Sequence, residues 1–248
     1  MNWLRTMRAE LRKLTTTKMP LAFLVVLVVI GATTATAVAF GTDMDGSKTF
    51  ISTAADQQSL MAFAGNVLVI AGLFGAIAVA REYGHGTVVL TFLTTPRRRQ
   101  AVLAQYTAAF VAGSVLGFVG AAVSAGSVAA GLTATDYGFM VSAAALAQVL
   151  AASTLAGGAG AVLGAGIGAF VRNTGGAVTG TILLLVILPP LAFQLASEVA
   201  TWVPGTLANV VSGVTDAAGM GAAIAAIAMW ALVPAAMGMV AVIRRDVV

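Results

Sequence analysis

Apolar residues fall along this chain in long uninterrupted blocks, and polar residues are confined to short intervals between them. The blocks lie at about Met19–Phe40, Ser59–Ala80, Ala101 into the 120s, Val141–Val162 with an extension toward Phe170, Gly176–Leu195 and Ala217–Ile243. Each is close to the ~20 residues a helix needs to cross a hydrocarbon core. Residues 2–18 carry a different pattern. Trp3, Leu4, Met7, Leu11 and Leu14 recur at helical spacing, with Arg5, Arg8, Arg12 and Lys13 on the remaining faces. That spacing predicts an amphipathic helix lying in the headgroup layer. A secretory leader is the competing reading, from the basic start, the run Leu21–Ile30 and the cleavage-like Ala35-Thr36-Ala37. The apolar run continues past that point to Phe40, which favours a span.

Two features modify the pattern late in the chain. Pro189-Pro190 removes two backbone donors from the fifth block and is expected to end or kink its helix. Residues 196–216, with Glu198, Trp202, Pro204 and Asp216, read as an outer connection holding a re-entrant or interfacial helix, Trp202 near the headgroups. Gly113 and Gly117, Gly160, Gly164 and Gly168, and Gly176 and Gly180 repeat every four residues. Such spacing puts small surfaces on one helix face and predicts close helix packing.

Composition agrees. Of 248 residues 59% are hydrophobic and 9% charged, too few charges for a soluble exterior. The chain is expected to be one all-α transmembrane domain over 1–248. Charge sets its orientation. With both termini inside, every Lys and Arg except Lys48 faces the cytoplasm, while Asp43, Asp45, Asp56, Asp136, Glu198 and Asp216 face outside. The net charge of +4 sits in clusters beside apolar segments, which suits a membrane face and not nucleic acid. The expected location is a bacterial inner (plasma) membrane.

Several chemistries are disfavoured. With no cysteine and one histidine, His85, there are no disulfides, thiolate sites or multi-histidine metal sites. The spans hold essentially no ionisable residue, which disfavours a self-contained ion-coupled carrier. No phosphate-cradling Gly-x-x-x-x-Gly-Lys-Ser/Thr pattern occurs, so any ATPase is expected on a separate chain. An intramembrane hydrolase centred on Ser114 would need a base at its depth, and His85 lies in a loop. An enzyme active site within the chain is therefore not expected. Asn66 and Gln148 are the candidate polar residues of a solute pathway, with interhelical hydrogen bonding as their alternative role.

The most charged interval after Lys18 is Arg81–Arg99, REYGHGTVVLTFLTTPRRR. Its charges place it at a membrane surface and its four arginines argue for the cytoplasmic side. Gly84 and Gly86 bracket His85, and Pro96 stops whatever helix precedes it. Thr87–Thr95 is expected to form a short helix parallel to the membrane, with Val88, Val89, Phe92 and Leu93 as its apolar face. It reads either as a docking element that enters a partner's groove or as a loop whose basic residues only fix topology.

Glu82-x-x-x-Gly86-Thr87 followed by Leu93-x-x-Pro96-x-Arg98 resembles the inner-loop signature of permeases of type-2 ABC exporters. The actinobacterial drug- and lantibiotic-export branch is the most similar. Glu10-x-x-Lys13-Leu14-x-Thr16-Thr17-Lys18 resembles that branch's start, and Arg244-Arg245-Asp246 its end. Gln105 departs from the pattern, since many such permeases have a lysine there. The resemblance implies a type-2 exporter-like fold with residues 2–18 as the connecting helix and 81–99 as the cytoplasmic coupling loop. Glu82, Tyr83, Gly86, Thr87, Val88, Phe92, Pro96, Arg97 and Arg98 would shape the loop or contact the ATPase. It implies two copies of a cytoplasmic ABC ATPase subunit, which would bind the ATP and magnesium, this chain holding no cofactor. It also implies a second permease copy or a sister permease. The function implied is ATP-driven outward movement of a hydrophobic or amphipathic solute. The alternative is a non-transporting scaffold or regulatory subunit of an ABC-like complex.

Overall fold

The computed structural model describes residues 3–62, 64–88, 97–195 and 197–244. All regular structure among them is helical. Helix α1 spans Trp3–Thr15, α2 Met19–Phe40, α3 Ala54–Met61, α4 Ala64–Gly84, α5 Arg98–Leu132 and α6 Ala143–Val171. Then come α7 Thr174–Ile182, a π-helical turn Leu183–Ile187, α8 Leu188–Leu195, α9 Ser197–Ala200, α10 Pro204–Val211 and α11 Met220–Arg244. Six helical stretches are long and apolar enough to cross a membrane: Met19–Phe40, Ala54–Gly84, Arg98–Leu132, Ala143–Val171, Thr174–Gln194 and Met220–Arg244. They match the six apolar blocks, which makes this a multi-pass membrane protein. Helix α5 runs past its block at both ends, and α6 continues through the extension of its block to Val171.

Helix α6 is the hub. Its residues from Ala156 to Ala169 are largely buried, and its neighbours approach it backbone to backbone. A Cβ on Gly113 or Gly117 of α5 would fall on the carbonyl of Gly157 or Ser153. On the α4 side, a Cβ on Gly75 would strike Ala161, and one on Gly160 or Gly164 would strike Leu68 or Gly72. Helix α11 sits equally close, with Gly166 against Pro234 and Gly238 against the Gly166 carbonyl. Lipid tails give apolar side chains no drive to leave them for each other, so dispersion contact at such short range is what holds these helices. Gly176 and Gly180 differ from that expectation. They face the side chains of Val171 and Ile167, not a neighbouring backbone.

The Pro189-Pro190 pair does not end its helix. The π-helical turn Leu183–Ile187 immediately precedes it and re-phases the carbonyls before the two missing donors arrive, so helical structure continues to Leu195. The connection after it carries α9 and α10, and α10 turns inward, burying Leu207, Ala208, Val210 and Val211 against α4, α6 and α11.

The two ends of the bundle are chemically distinct. One end collects Asp43, Asp45, Asp56, Asp136, Glu198 and Asp216 on its connections. Three glutamines stitch it together. Buried Gln57 donates to the carbonyls of Ile51 (3.2 Å) and Gly138 (3.0 Å) and accepts from the Met140 amide (2.9 Å). Gln58 donates to the Ser212 carbonyl at 2.9 Å, and Gln148 to that of Val211 at 3.1 Å. Lys48, the one cation on this side, donates to the Ala39 carbonyl in the last turn of α2 (2.6 Å), where a helix C-terminus favours positive charge.

Candidate functional site at the basic end

The other end gathers α1, the C-terminus of α4, the start of α5, the α6–α7 turn and the end of α11. Helix α4 stops where the backbone turns left-handed at Gly86, φ +68°. The His85 amide and ring Nδ1 both reach the Arg81 carbonyl, and the Gly86 amide donates to the Tyr83 carbonyl. These bonds satisfy carbonyls that a helix end otherwise orphans. Thr87 Oγ1 donates to the Glu82 carbonyl at 3.2 Å, and the chain re-enters helix at Thr87 and buried Val88. Residues 89–96, with Phe92 and Pro96, lie outside the described residues, as do Arg245 and Asp246 and the side chains of Trp3 and Leu4. Arg97 is exposed at the start of α5.

Glu82 does not point outward. Its carboxylate accepts from Gln105 Nε2 on α5 at 2.7 Å and from Lys13 Nζ on α1 at 3.2 Å. Lys13 also pairs with Glu10 at 2.7 Å. Glu10 is 5% exposed, on the face of α1 that also presents Met7 and Leu14 to the bundle. The interfacial helix is thus latched to α4 and α5 by a chain of charge-assisted bonds running Glu10–Lys13–Glu82–Gln105. Gln105 supplies Glu82 with a neutral donor, and Lys13 supplies a cation from another helix. Sequence reasoning gave Glu10 and Lys13 no role at the site. The available signal was spacing: Met7, Glu10 and Leu14 are three and four residues apart, so Glu10 is an acid on an apolar face.

Burial, reinforced by repulsion from Glu82, raises the Glu10 pKa above its ordinary 4.5, and Lys13 only partly offsets this. For Lys13, burial acts to lower the pKa, but attraction from Glu82 and bonding to Glu10 outweigh it, and the net shift is upward from 10.5. Folded Glu10 therefore binds its proton more tightly than the unfolded chain does, so its contribution to stability grows as pH falls from neutrality toward 4.5. The Lys13 contribution is complete below 10.5 and is lost as pH rises through its raised folded value. Asp43 and Asp45 act in the opposite sense. Hydroxyl donors, Thr49 to Asp43 and Ser47 to Asp45, lower their pKa values, and their contribution is lost only as pH falls below 3.8. The melting temperature in detergent should therefore rise modestly from pH 8 to pH 5.5, and Glu10→Gln should flatten that rise. A wild-type protein that loses stability over that interval would contradict this origin for the latch.

Arginines clasp the end of α11. Arg172 Nη2 donates to the Ala241 carbonyl at 3.0 Å, and Arg98 Nη1 to that of Val242 at 3.4 Å. Arg172 takes a left-handed backbone, φ 59°, which turns the chain from α6 to the Asn173 cap of α7, and its guanidinium carbon lies 5.4 Å from the Tyr83 ring centre. Tyr83 is thus partly buried, its ring packed toward the α6–α7 turn.

The two pathway candidates are far apart in role. Asn66 is exposed in a cavity of about 780 Å³ toward the acidic end, bounded by Ile30, Ile70, Leu185 and Pro189, with Ser59 and Asn209 as its other polar groups. Gln148 is bonded to Val211 outside that lining and fixes α10. Ser114 packs beside Gly158 in the α5–α6 seam. Among the described residues no cluster of His, Cys, Asp and Glu could hold a metal ion. No protein-family model matches the chain, and no curated protein sequence matches it.

Proposed function

We propose that this chain is the permease subunit of an ATP-driven ABC exporter, working as a pair with a second copy or a sister permease and with two separate cytoplasmic ATPase subunits. The observation that carries this reading is the Glu82 latch. The segment entering the Arg81–Arg99 loop is bonded to α1 and α5, and α4 is locked against α6 through Gly75, Gly160 and Gly164. A force applied to that loop would move α1, α4, α5 and α6 together, because close-packed elements shift as rigid bodies between alternative packings. ATP-driven closure of the motor subunits would supply that force. The Asn66 cavity, mostly apolar with three polar groups, is of a size and character that suits an amphipathic solute.

The test is affinity purification in mild detergent from native membranes, with wild type and Glu82→Ala. Wild type is expected to bring down a soluble ATPase, and Glu82→Ala to lower the amount recovered or its hydrolysis several-fold. If neither protein brings down an ATPase under conditions that preserve complexes, the exporter reading fails. ATPase recovery without solute-stimulated hydrolysis in reconstituted vesicles would favour a regulatory scaffold.

A further inference from the structure

A groove runs along α11 beside α6 and the π turn. Its floor is Ile167 and Phe170 of α6, one wall is Leu184 of the π turn, and the other is Met229, Val233 and Met237 of α11. It encloses about 620 Å³. At its acidic-end mouth Trp230 Nε1 donates to the Trp202 carbonyl at 2.9 Å, and both tryptophans line the groove there. Toward the basic end it runs into a second depression of about 420 Å³ that shares Phe170 and Met237 and adds Ala236, Val240 and Arg244. The lining is apolar along the whole length and changes character only at its end, where exposed Arg244 makes no ion pair or hydrogen bond among the described residues.

We infer that this groove holds one anionic phospholipid, its acyl chain along α11 between Phe170 and Met237 and its phosphate at Arg244. The matching of parts points to a lipid. Alternating Met and Val side chains form an adaptable apolar slot, which suits a flexible chain. A guanidinium at headgroup depth selects phosphate charge, and the two tryptophans at the far end mark the other limit of the apolar slot. The inference does not depend on what the protein transports.

Brominated acyl chains quench tryptophan on contact, and Trp202 and Trp230 both border the groove. The chain has a third tryptophan, so Trp3→Phe is the working background. In phosphatidylcholine vesicles, brominated phosphatidylglycerol at low mole fraction should bind near these indoles about five-fold better than brominated phosphatidylcholine, the scale for one basic residue at an anionic surface. Arg244→Gln should bring that ratio toward one, and Ala236→Phe, which fills the second depression from an exposed position, should weaken quenching by both lipids. A wild-type ratio near one, or a ratio that Arg244→Gln leaves unchanged, overturns the proposal. So does a disulfide-linked dimer formed by Met237→Cys in this cysteine-free chain, since that assigns the groove to a second copy.

Discussion

Lys13→Met is expected to release α1 from the bundle while the six spanning helices stay folded. The substitution keeps most of the side chain's length and apolar stem but removes the one cation that two carboxylates share. Glu10 and Glu82 are then left facing each other, with side chains 6% and 15% exposed. Leaving a buried charge without its partner costs far more than the net worth of the pair. Lys13 itself is 38% exposed, so water screens part of the loss. About 2 kcal/mol is a fair scale, or roughly thirty-fold in the undocked population. Trypsin reads this directly, because Arg5, Arg8 and Arg12 become cleavable only when α1 opens and, with fast reclosing, the rate follows the open population. The variants should not add. Glu10→Gln alone should be nearly neutral, since it removes the carboxylate–carboxylate repulsion and keeps a hydrogen-bonding group. Lys13→Met with Glu10→Gln and Glu82→Gln should recover most of the loss, since no charge then remains buried. If the triple variant is as loose as Lys13→Met, packing of the lysine stem holds the helix and the charges do not.

The latch also shows where sequence reasoning succeeds and where it stops. The apolar blocks locate six spans because a bilayer imposes a length on each, and that constraint acts on every block alone. The distribution of cations is equally local, and the two ends of the bundle carry the segregated charges that it implies. The Arg172–Asn173 interval reads as a short inner turn, and the structure forms it with a left-handed Arg172 and an Asn173 side chain that accepts from the Gly175 amide at 2.9 Å. Partnership is not local. Hydropathy alone points the wrong way, since the α2 window is the most apolar of the six and the α6 window the least, yet two thirds of the α6 window is buried inside the protein against 17% for α2. The difference is side-chain volume: α6 is built from glycine and alanine where α2 is built from valine and leucine. Pro189-Pro190 marks an irregular stretch of helix but not its end. Two missing donors break an α-helix only if the hydrogen-bond phase is fixed, and the π turn ahead of them changes the phase. Glu10 is hidden by its surroundings, because an acid among arginines reads as a solvated salt bridge unless its helical face is checked. Gln57 reads as a loop residue, and only the fold brings Ile51, Gly138 and Met140 around its amide.

Gly164→Val is expected to be the most damaging single substitution among the positions considered, and Gly126→Val, on a neighbouring helix, close to harmless. A Cβ at residue 164 would fall on the Gly72 carbonyl, with the Ala76 amide nitrogen next to it at 2.9 Å. Both obstacles are backbone of α4, which has no rotamer by which to yield. The two helices must separate, and separation opens the seam that Gly75 and Gly160 also close. Overpacking of a close-packed core costs about 1–3 kcal/mol when side chains can adjust, and more when they cannot. Here the loss exceeds that range, because the contact area of a whole helix pair goes with it and no hydrophobic drive between helices in lipid restores it. The measurable result is loss of the monodisperse peak after detergent extraction, with a fall in melting temperature for whatever folded protein remains. Gly126 is the control because a Cβ there meets nothing within 4 Å. The same comparison bears on function. Alanine at residue 168, whose methyl would approach the Ala76 carbonyl at 2.8 Å and so demands a smaller separation, should retain folded protein while loosening the same α4–α6 seam. If α4 carries motion from the Glu82 end into the bundle, Gly168→Ala should keep the co-purifying ATPase yet weaken solute stimulation of its hydrolysis. Unimpaired stimulation would show that the route from loop to bundle runs through α5 and not through α4.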